Sequence, residues 1–343
     1  MTVTQNELLR ATSRSFYLTL RVLPRAIRSQ IGLAYLLART ADTIADTEIV
    51  PLSQRLDSLK QLRERIRARS AAPLNFNDLA GKQGTVAEKL LLEKINDSVD
   101  ALQQCSPEDQ KLIRDVIATI TSGQELDLNR FSPLQTAPSP GRIIALETSL
   151  ELDDYTYRVA GCVGEFWTKM CRAHLFPRAR LDENQFITNG IRFGKGLQLI
   201  NILRDLPEDL KKGRCYLPME KLEQHKLSPP TLLSTASEKN FLPLFHEYLD
   251  KAESHLQAGW DYTKALPFSQ FRVRLACAWP ILIGMKTIEK LRTASVIELR
   301  QRVKISRSDV RRIILRSIFA CPFSSAWVNL FPAKSVALRQ DFA

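Results

Sequence analysis

Apolar residues recur along most of this chain at the three- and four-residue steps of an α-helix, and two segments carry a narrow polar stripe inside that pattern. Tyr35, Arg39, Asp42 and Asp46 follow one another at steps of four, three and four. Gly194, Gln198, Asn201 and Asp205 repeat those steps, and Asp209 follows four residues later. Such spacing brings residues to one helix face. Leu33, Leu36, Leu37 and Ile44 flank the first stripe, and Leu197, Leu199, Ile200, Ile202 and Leu203 flank the second. A surface helix seldom has apolar residues on both sides of its polar stripe. Both helices are therefore expected inside a bundle, lining a shared cavity.

The same reading predicts helices over about 24–47, from Pro51 onward, and over about 85–104, 107–128, 142–171 (with one break), 182–206, 238–265, 271–293 and 307–319. Residues 70–84 and 131–141, rich in Pro, Asn, Asp and Gly, read as irregular. No run of alternating β-branched residues is convincing as a strand. Pro207 is expected to kink or end the second acid-bearing helix near Leu206. Asp209 would then reach the site from a bent turn, or pair with Lys211, Lys212 or Arg214. With no repeat and no long linker, the chain reads as one all-α domain over residues 1–343.

Buried carboxylates that face each other repel, so a compensating charge is needed. A hard divalent cation supplies it, and Mg2+ favours one or two carboxylates plus phosphate oxygens and water. The alternative for any single D-x-x-x-D is a solvated helix face. Two matched pairs in apolar surroundings favour a metal–diphosphate site.

The net charge of +12, from 49 Lys and Arg against 37 Asp and Glu, favours anionic partners. No nucleic-acid motif with interleaved aromatics accompanies it, so no nucleic-acid partner is expected. The six cysteines are scattered without metal-ligand spacing, which suits a reducing cytoplasm. Residues 1–14 lack an apolar signal core, and no stretch reaches the roughly 20 apolar residues of a membrane span. The tail from about 307 is basic and apolar, with Arg311–Phe319 and Trp327–Phe331 suited either to an anionic membrane surface or to docking on the core.

Ordered blocks along nearly the whole chain resemble the squalene/phytoene synthase family, the head-to-head prenyl synthases. Ser13-Arg-Ser-Phe16 is similar to the family's N-terminal diphosphate-contact motif. Tyr35, Arg39, Asp42 and Asp46 resemble its first aspartate-rich helix, and Tyr155 to Gly164 its Y-x-x-x-V-A-G-x-V-G block. Gln198 to Asp209, then Gly213-Arg-Cys-Tyr-Leu-Pro218, resemble its second aspartate-rich helix and basic turn.

The resemblance implies a single isoprenoid-synthase helical bundle with a central cavity. It implies that two farnesyl diphosphates join through a cyclopropyl diphosphate. Mg2+ would be held by Asp42, Asp46, Asn201, Asp205 and Asp209. Diphosphate contacts would come from Ser13, Arg14, Ser15, Phe16, Tyr35, Arg39, Gln198, Arg204 and Arg214. Tyr155 and Tyr35 would stabilise cations or handle protons, with Asp42 and Asp205 completing the catalytic set. Arg39-Thr-Ala-Asp-Thr-Ile-Ala-Asp46 and Cys277-Ala-Trp-Pro280 look squalene-type, which implies reduction by NADPH. Reducing members of the family bind NADPH without a Rossmann motif, and none is present here. Dehydrosqualene or phytoene synthesis without reduction is the alternative, and a non-catalytic helical assembly factor is the reading from another class.

Overall fold

Two short helices, α1 (Val3–Thr12) and α2 (Phe16–Val22), precede the long α3 (Arg25–Asp46). The computed structural model describes residues 3–13, 16–68, 72–132, 134 and 142–332. Helices α4 (Leu52–Ile66), α5 (Asn77–Ala80), α6 (Val86–Glu93), α7 (Ile95–Gln103) and α8 (Pro107–Arg130) follow. Next come strand β1 (Ile144–Leu146), α9 (Ser149–Thr156), a π-helical turn (Tyr157–Gly161) and α10 (Cys162–His174). The remainder is α11 (Glu183–Lys211), β2 (Arg214–Pro218), α12 (Met219–Gln224), α13 (Glu238–Ala265), α14 (Phe271–Arg292), α15 (Val296–Leu299), α16 (Arg307–Ala320) and α17 (Ser324–Val328). The architecture is an all-α bundle, as the apolar periodicity predicts.

Local chemistry sets the helix ends. Ser106 accepts the Asp109 amide at 3.2 Å and Pro107 follows it, which together open α8. Asp182 accepts the Gln185 amide at 3.0 Å to open α11. Gly213, at φ +77°, turns the chain out of α11 into β2. Two apolar clusters fill the bundle, and the half-buried Val22 and Phe193 pack against both.

Helix α11 runs through the middle, packed on α10, α13, α14 and the π-helical turn. Its approach to α10 is closer than side chains permit. A Cβ on Gly164 would stand 1.9 Å from the Gly190 carbonyl oxygen, and one on Gly194 2.2 Å from that of Ala160. Gly194 thus belongs to a helix crossing rather than to a cavity-lining stripe. Gly164→Ala is expected to lower stability by about 2 kcal/mol through overpacking, read as a fall in the denaturation midpoint at unchanged slope.

The structure departs from the sequence reading in several places. Helix α11 continues through Pro207 to Lys211, so Asp205 and Asp209 share one helix. The proline forfeits one backbone bond, while burial of Leu203, Leu206 and Pro207 favours continuation. Its last turn closes through Lys212 N–H donating to the Glu208 and Asp209 carbonyls at 3.2 and 3.0 Å. Strands β1 and β2 pair in parallel, with Ile144 opposite Arg214 and Ala145 opposite Cys215. Segments this short carry no detectable alternation. The predicted helix over 85–104 divides at Lys94, and α5 interrupts the predicted loop. Of the second irregular stretch, residues 133 and 135–141 lie outside the described residues. In the tail, Trp327 is buried and stacks on Trp260 at 5.4 Å, so this part docks on the core.

Candidate active site

Helix α3 delivers its acids at its C-terminal end. The Asp42 carboxylate accepts from Arg39 at 3.1 Å and from the Gln124 amide at 3.0 Å. The other arm of Arg39 reaches Glu88 at 2.8 Å. Beyond them lies a polar concavity of about 370 Å³, lined by Arg39, Thr43, Asp46, Thr47, Glu48 and Lys82 among others. Solvent reaches Asp46 at its mouth, but the walls displace enough water to push the carboxyl up to about 6, helped by the charge of Asp42. A second concavity, of about 280 Å³, is lined by Ser, Gln and Asn side chains with Asp57, Asp78, Phe76 and Leu79, and none of its lining residues is an arginine or lysine.

Helix α11 delivers the second acid pair. Asp205 sits between two guanidiniums: Arg204 at 2.9 and 2.7 Å, and Arg302, from the turn before α16, at 2.7 Å. One turn earlier, Asn201 donates to Gln198 at 3.5 Å. One turn later, the Asp209 carboxyl is pushed up to about 7, first by burial and then by Asp205.

A single basic turn joins the two helices. Glu48, just past α3, pairs with Lys212 at 3.5 Å and Arg214 at 3.1 Å. Lys212 and Arg214 also pull down the carboxyls of both Asp46 and Asp209. The acid ends of α3 and α11 therefore share one pair of cations, at one end of the bundle.

Helix α8 and strand β2 supply a third wall. The Tyr216 hydroxyl donates to Asp127 at 2.9 Å, and its ring stacks on Tyr155 with centroids 4.8 Å apart. Burial holds both phenols well above their ordinary range, so both stay neutral. Arg214 lies 5.6 Å over the Phe131 ring. Burial pushes Asp127 up to about 6, against the Tyr216 bond and the charges of Arg214 and Arg130.

The sign of that shift gives a prediction. A carboxyl raised from its unfolded value of about 3.9 favours the fold when protonated, and the benefit disappears as pH rises through about 6. Asp127→Asn is therefore expected to gain on the wild type by about 2 kcal/mol between pH 4 and pH 7, measured by denaturant unfolding at each pH.

Of the remaining sequence candidates, Tyr35 lies on α3 itself and Ser13 just past α1. The Tyr35 hydroxyl donates to the Thr12 carbonyl at 3.0 Å, tying the end of α1 to α3. Ser13 is buried, its hydroxyl donating to the Leu9 carbonyl. Arg14, Ser15 and the Phe16 side chain lie outside the described residues.

Residues 9–309 match the family described as squalene/phytoene synthase. The chain belongs to this family. It is 26% identical over 315 residues to squalene synthase ERG9 of Saccharomyces cerevisiae, covering 91% of this chain and 66% of that protein. It is 28% identical over 263 residues to a 15-cis-phytoene synthase of Synechocystis, covering 74% and 66%. It is 29% identical over 226 residues to a presqualene diphosphate synthase of Sinorhizobium fredii, covering 62% and 61%. The chain thus spans about two thirds or less of the length of these relatives. Among solved structures, TcSQS in complex with the ligand E5700 matches with a TM-score of 0.75 at 22% identity, covering 91% of this chain and 84% of that one. A dehydrosqualene synthase matches with a TM-score of 0.61 at 20% identity, covering 91% and 93%. These likenesses identify the isoprenoid-synthase helical fold.

Several residues that surround the two acid pairs escaped the sequence reading. Thr121, Gln124 and Asp127 form a third polar stripe at steps of three, on α8, and this was open to detection. Glu88 and Arg302 lie at a helix start and in a turn, where no periodicity marks them. Among the described residues, no three acidic, His or Cys side chains converge as a ready-made metal cage. Mg2+ seldom uses one, preferring a few carboxylates completed by phosphate and water. Carboxyls pushed up first by burial and then by a neighbouring carboxylate, as at Asp46 and Asp209, are ones whose charge a divalent cation would relieve. The donor set fits such an ion.

Proposed function

We propose that the protein joins two farnesyl diphosphates head to head into a cyclopropyl diphosphate and then, with NADPH, reduces that product to squalene. The observation that carries this reading is the pair of acid-bearing helix ends sharing Lys212 and Arg214. In the first half-reaction, one allylic C–O bond breaks with release of diphosphate. Its carbon bonds across the double bond of the second molecule, and the proton lost as the cyclopropane closes passes to the released diphosphate. In the second, the remaining C–O bond breaks and a hydride from NADPH completes squalene, leaving diphosphate and NADP+.

Asp42, Asp46, Asn201, Asp205 and Asp209 would hold Mg2+, which supplies Lewis-acid stabilisation of the departing diphosphate. Arg39, Arg204 and Arg214 would donate charge-assisted hydrogen bonds to phosphate oxygens, with Gln198, Ser13, Arg14 and Ser15 alongside. The cation needs shelter from water, which the apolar neighbours of the two stripes, such as Leu36, Leu37, Leu199 and Ile202, would supply. The hydroxyl of Tyr155 meets this region as a neutral phenol, able to donate a hydrogen bond to a phosphate oxygen while its ring faces the cation.

Mass spectrometry of products from farnesyl and geranylgeranyl diphosphate, each with Mg2+ and with or without NADPH, tests the reading. Squalene is expected only with farnesyl diphosphate and NADPH, and the cyclopropyl diphosphate accumulates when NADPH is withheld. Identical hydrocarbons with and without NADPH would move the assignment to dehydrosqualene or phytoene synthesis.

A further inference from the structure

The end of the bundle opposite the acids carries two features that the proposed chemistry does not use. The first is charge. Arg21, Arg25 and Arg272 are exposed, and all three lie close enough to depress the pKa of the half-buried Arg28, after burial itself. Arg28 spends its donors on the carbonyls of Arg21 and Leu23, at 3.0 and 2.5 Å. Among the described residues, no carboxylate forms an ion pair with any of these four arginines. Four like charges without a counter-ion cost stability unless an anionic partner answers them.

The second feature is a set of exposed aromatic rings. Phe268 is 57% exposed, Phe271 51%, Phe319 73% and Phe323 64%, which is far from the usual place of phenylalanine. They share one end of the molecule because α14 and α16 run antiparallel. Lys290 approaches Asp309 at 4.0 Å at one end, and Trp279 donates to Ser317 at 2.9 Å further along. Arg274 then lies over the rings of both Phe268 and Trp327, at 5.6 and 4.7 Å. Phe268 and Phe271 therefore sit beside the end of α16 that holds Phe319, with Phe323 just beyond it. Arg272, inside this aromatic group, also belongs to the arginine cluster through Arg28.

Helix α16 repeats the point by itself. Ser317 and Ala320 pack inward, while Leu315, Ile318 and Phe319 form a second apolar face toward solvent. Arg311, Arg312 and Arg316 are exposed along that helix. A helix with one docked apolar face needs no second one for folding.

We propose that this end of the bundle is a docking surface for an anionic phospholipid bilayer, with the rings entering the headgroup region and the arginines meeting lipid phosphates. Exposed rings flanked by unpaired arginines are complementary to such a surface, where each cation adds attraction that salt screens. No described helix is long and apolar enough to cross a membrane, so the contact is peripheral. Arg25 and Asp46 stand at opposite ends of α3, about 32 Å apart at the helical rise, which separates docking from chemistry.

The test is flotation of the full chain with vesicles of phosphatidylcholine alone or with phosphatidylglycerol added, without substrate. The protein is expected to float with the anionic vesicles and not with the neutral ones, and to be released by high salt. Arg25→Glu with Arg272→Glu, and separately Phe319→Ser with Phe323→Ser, are each expected to weaken flotation at least about tenfold at unchanged melting temperature. Failure to float with either vesicle overturns the proposal. So does equal flotation of the arginine variant, or self-association in sedimentation that the phenylalanine variant abolishes while vesicle binding is absent. In that last case the patch is an interface between copies of the chain.

Discussion

Asp205→Asn is expected to slow diphosphate release from farnesyl diphosphate about 10³-fold, and Asp42→Asn by a similar factor. The substitution keeps the side-chain shape and removes the charge. At Asp42 the two carboxylate oxygens accept separately from Arg39 and Gln124, at 3.1 and 3.0 Å; an amide oxygen keeps the Arg39 bond, and Gln124 can turn its own carbonyl toward the new NH2. At Asp205 a neutral amide leaves Arg204 and Arg302 facing each other without their shared anion. Local repulsion there lowers the melting temperature, whereas helix content measured by circular dichroism stays unchanged. Activity loss without unfolding separates a catalytic role from a structural one. Release of diphosphate within tenfold of wild type, in either variant, would remove these carboxylates from the metal site. Arg302→Ala is the companion: it removes a competitor for Asp205, so the Mg2+ concentration needed for half-maximal activity is expected to fall.

Much of this arrangement was legible in the chain because helices write their faces at fixed intervals. The stripes through Asp42 and Asp205 emerged from spacing alone, and α3, α8, α13 and α14 begin and end within a few residues of their predicted bounds. What escaped was long-range. The bond between Gln124 and Asp42 spans 82 positions, and that between Arg302 and Asp205 spans 97. No local period encodes such pairings. Pro207 misled for a different reason: propensity prices one missing hydrogen bond, but not the buried apolar contacts that keep α11 going. The π-helical turn at Tyr157–Gly161 was hidden as well, since a π-turn differs from an α-turn by one residue and leaves the apolar pattern nearly intact.

Tyr155→Phe is expected to lower the rate of the first half-reaction about 10²-fold with little change in KM. The side chain is buried, and its ring stacks on Tyr216 within 22° of parallel. Deleting one oxygen leaves that stacking and the surrounding core in place. What disappears is a neutral hydroxyl within the electrostatic reach of Asp42 and Asp209, the acids on either side of the site. Tyr216 holds the neighbouring position by donating to Asp127, so Tyr216→Phe frees a buried carboxylate as well as removing a phenol. That second variant is expected to lose stability above pH 6, where Asp127 ionises without its donor, while Tyr155→Phe keeps the wild-type pH dependence of unfolding. If Tyr155 serves packing alone, its phenylalanine variant retains the wild-type rate of cyclopropyl diphosphate formation under single-turnover conditions.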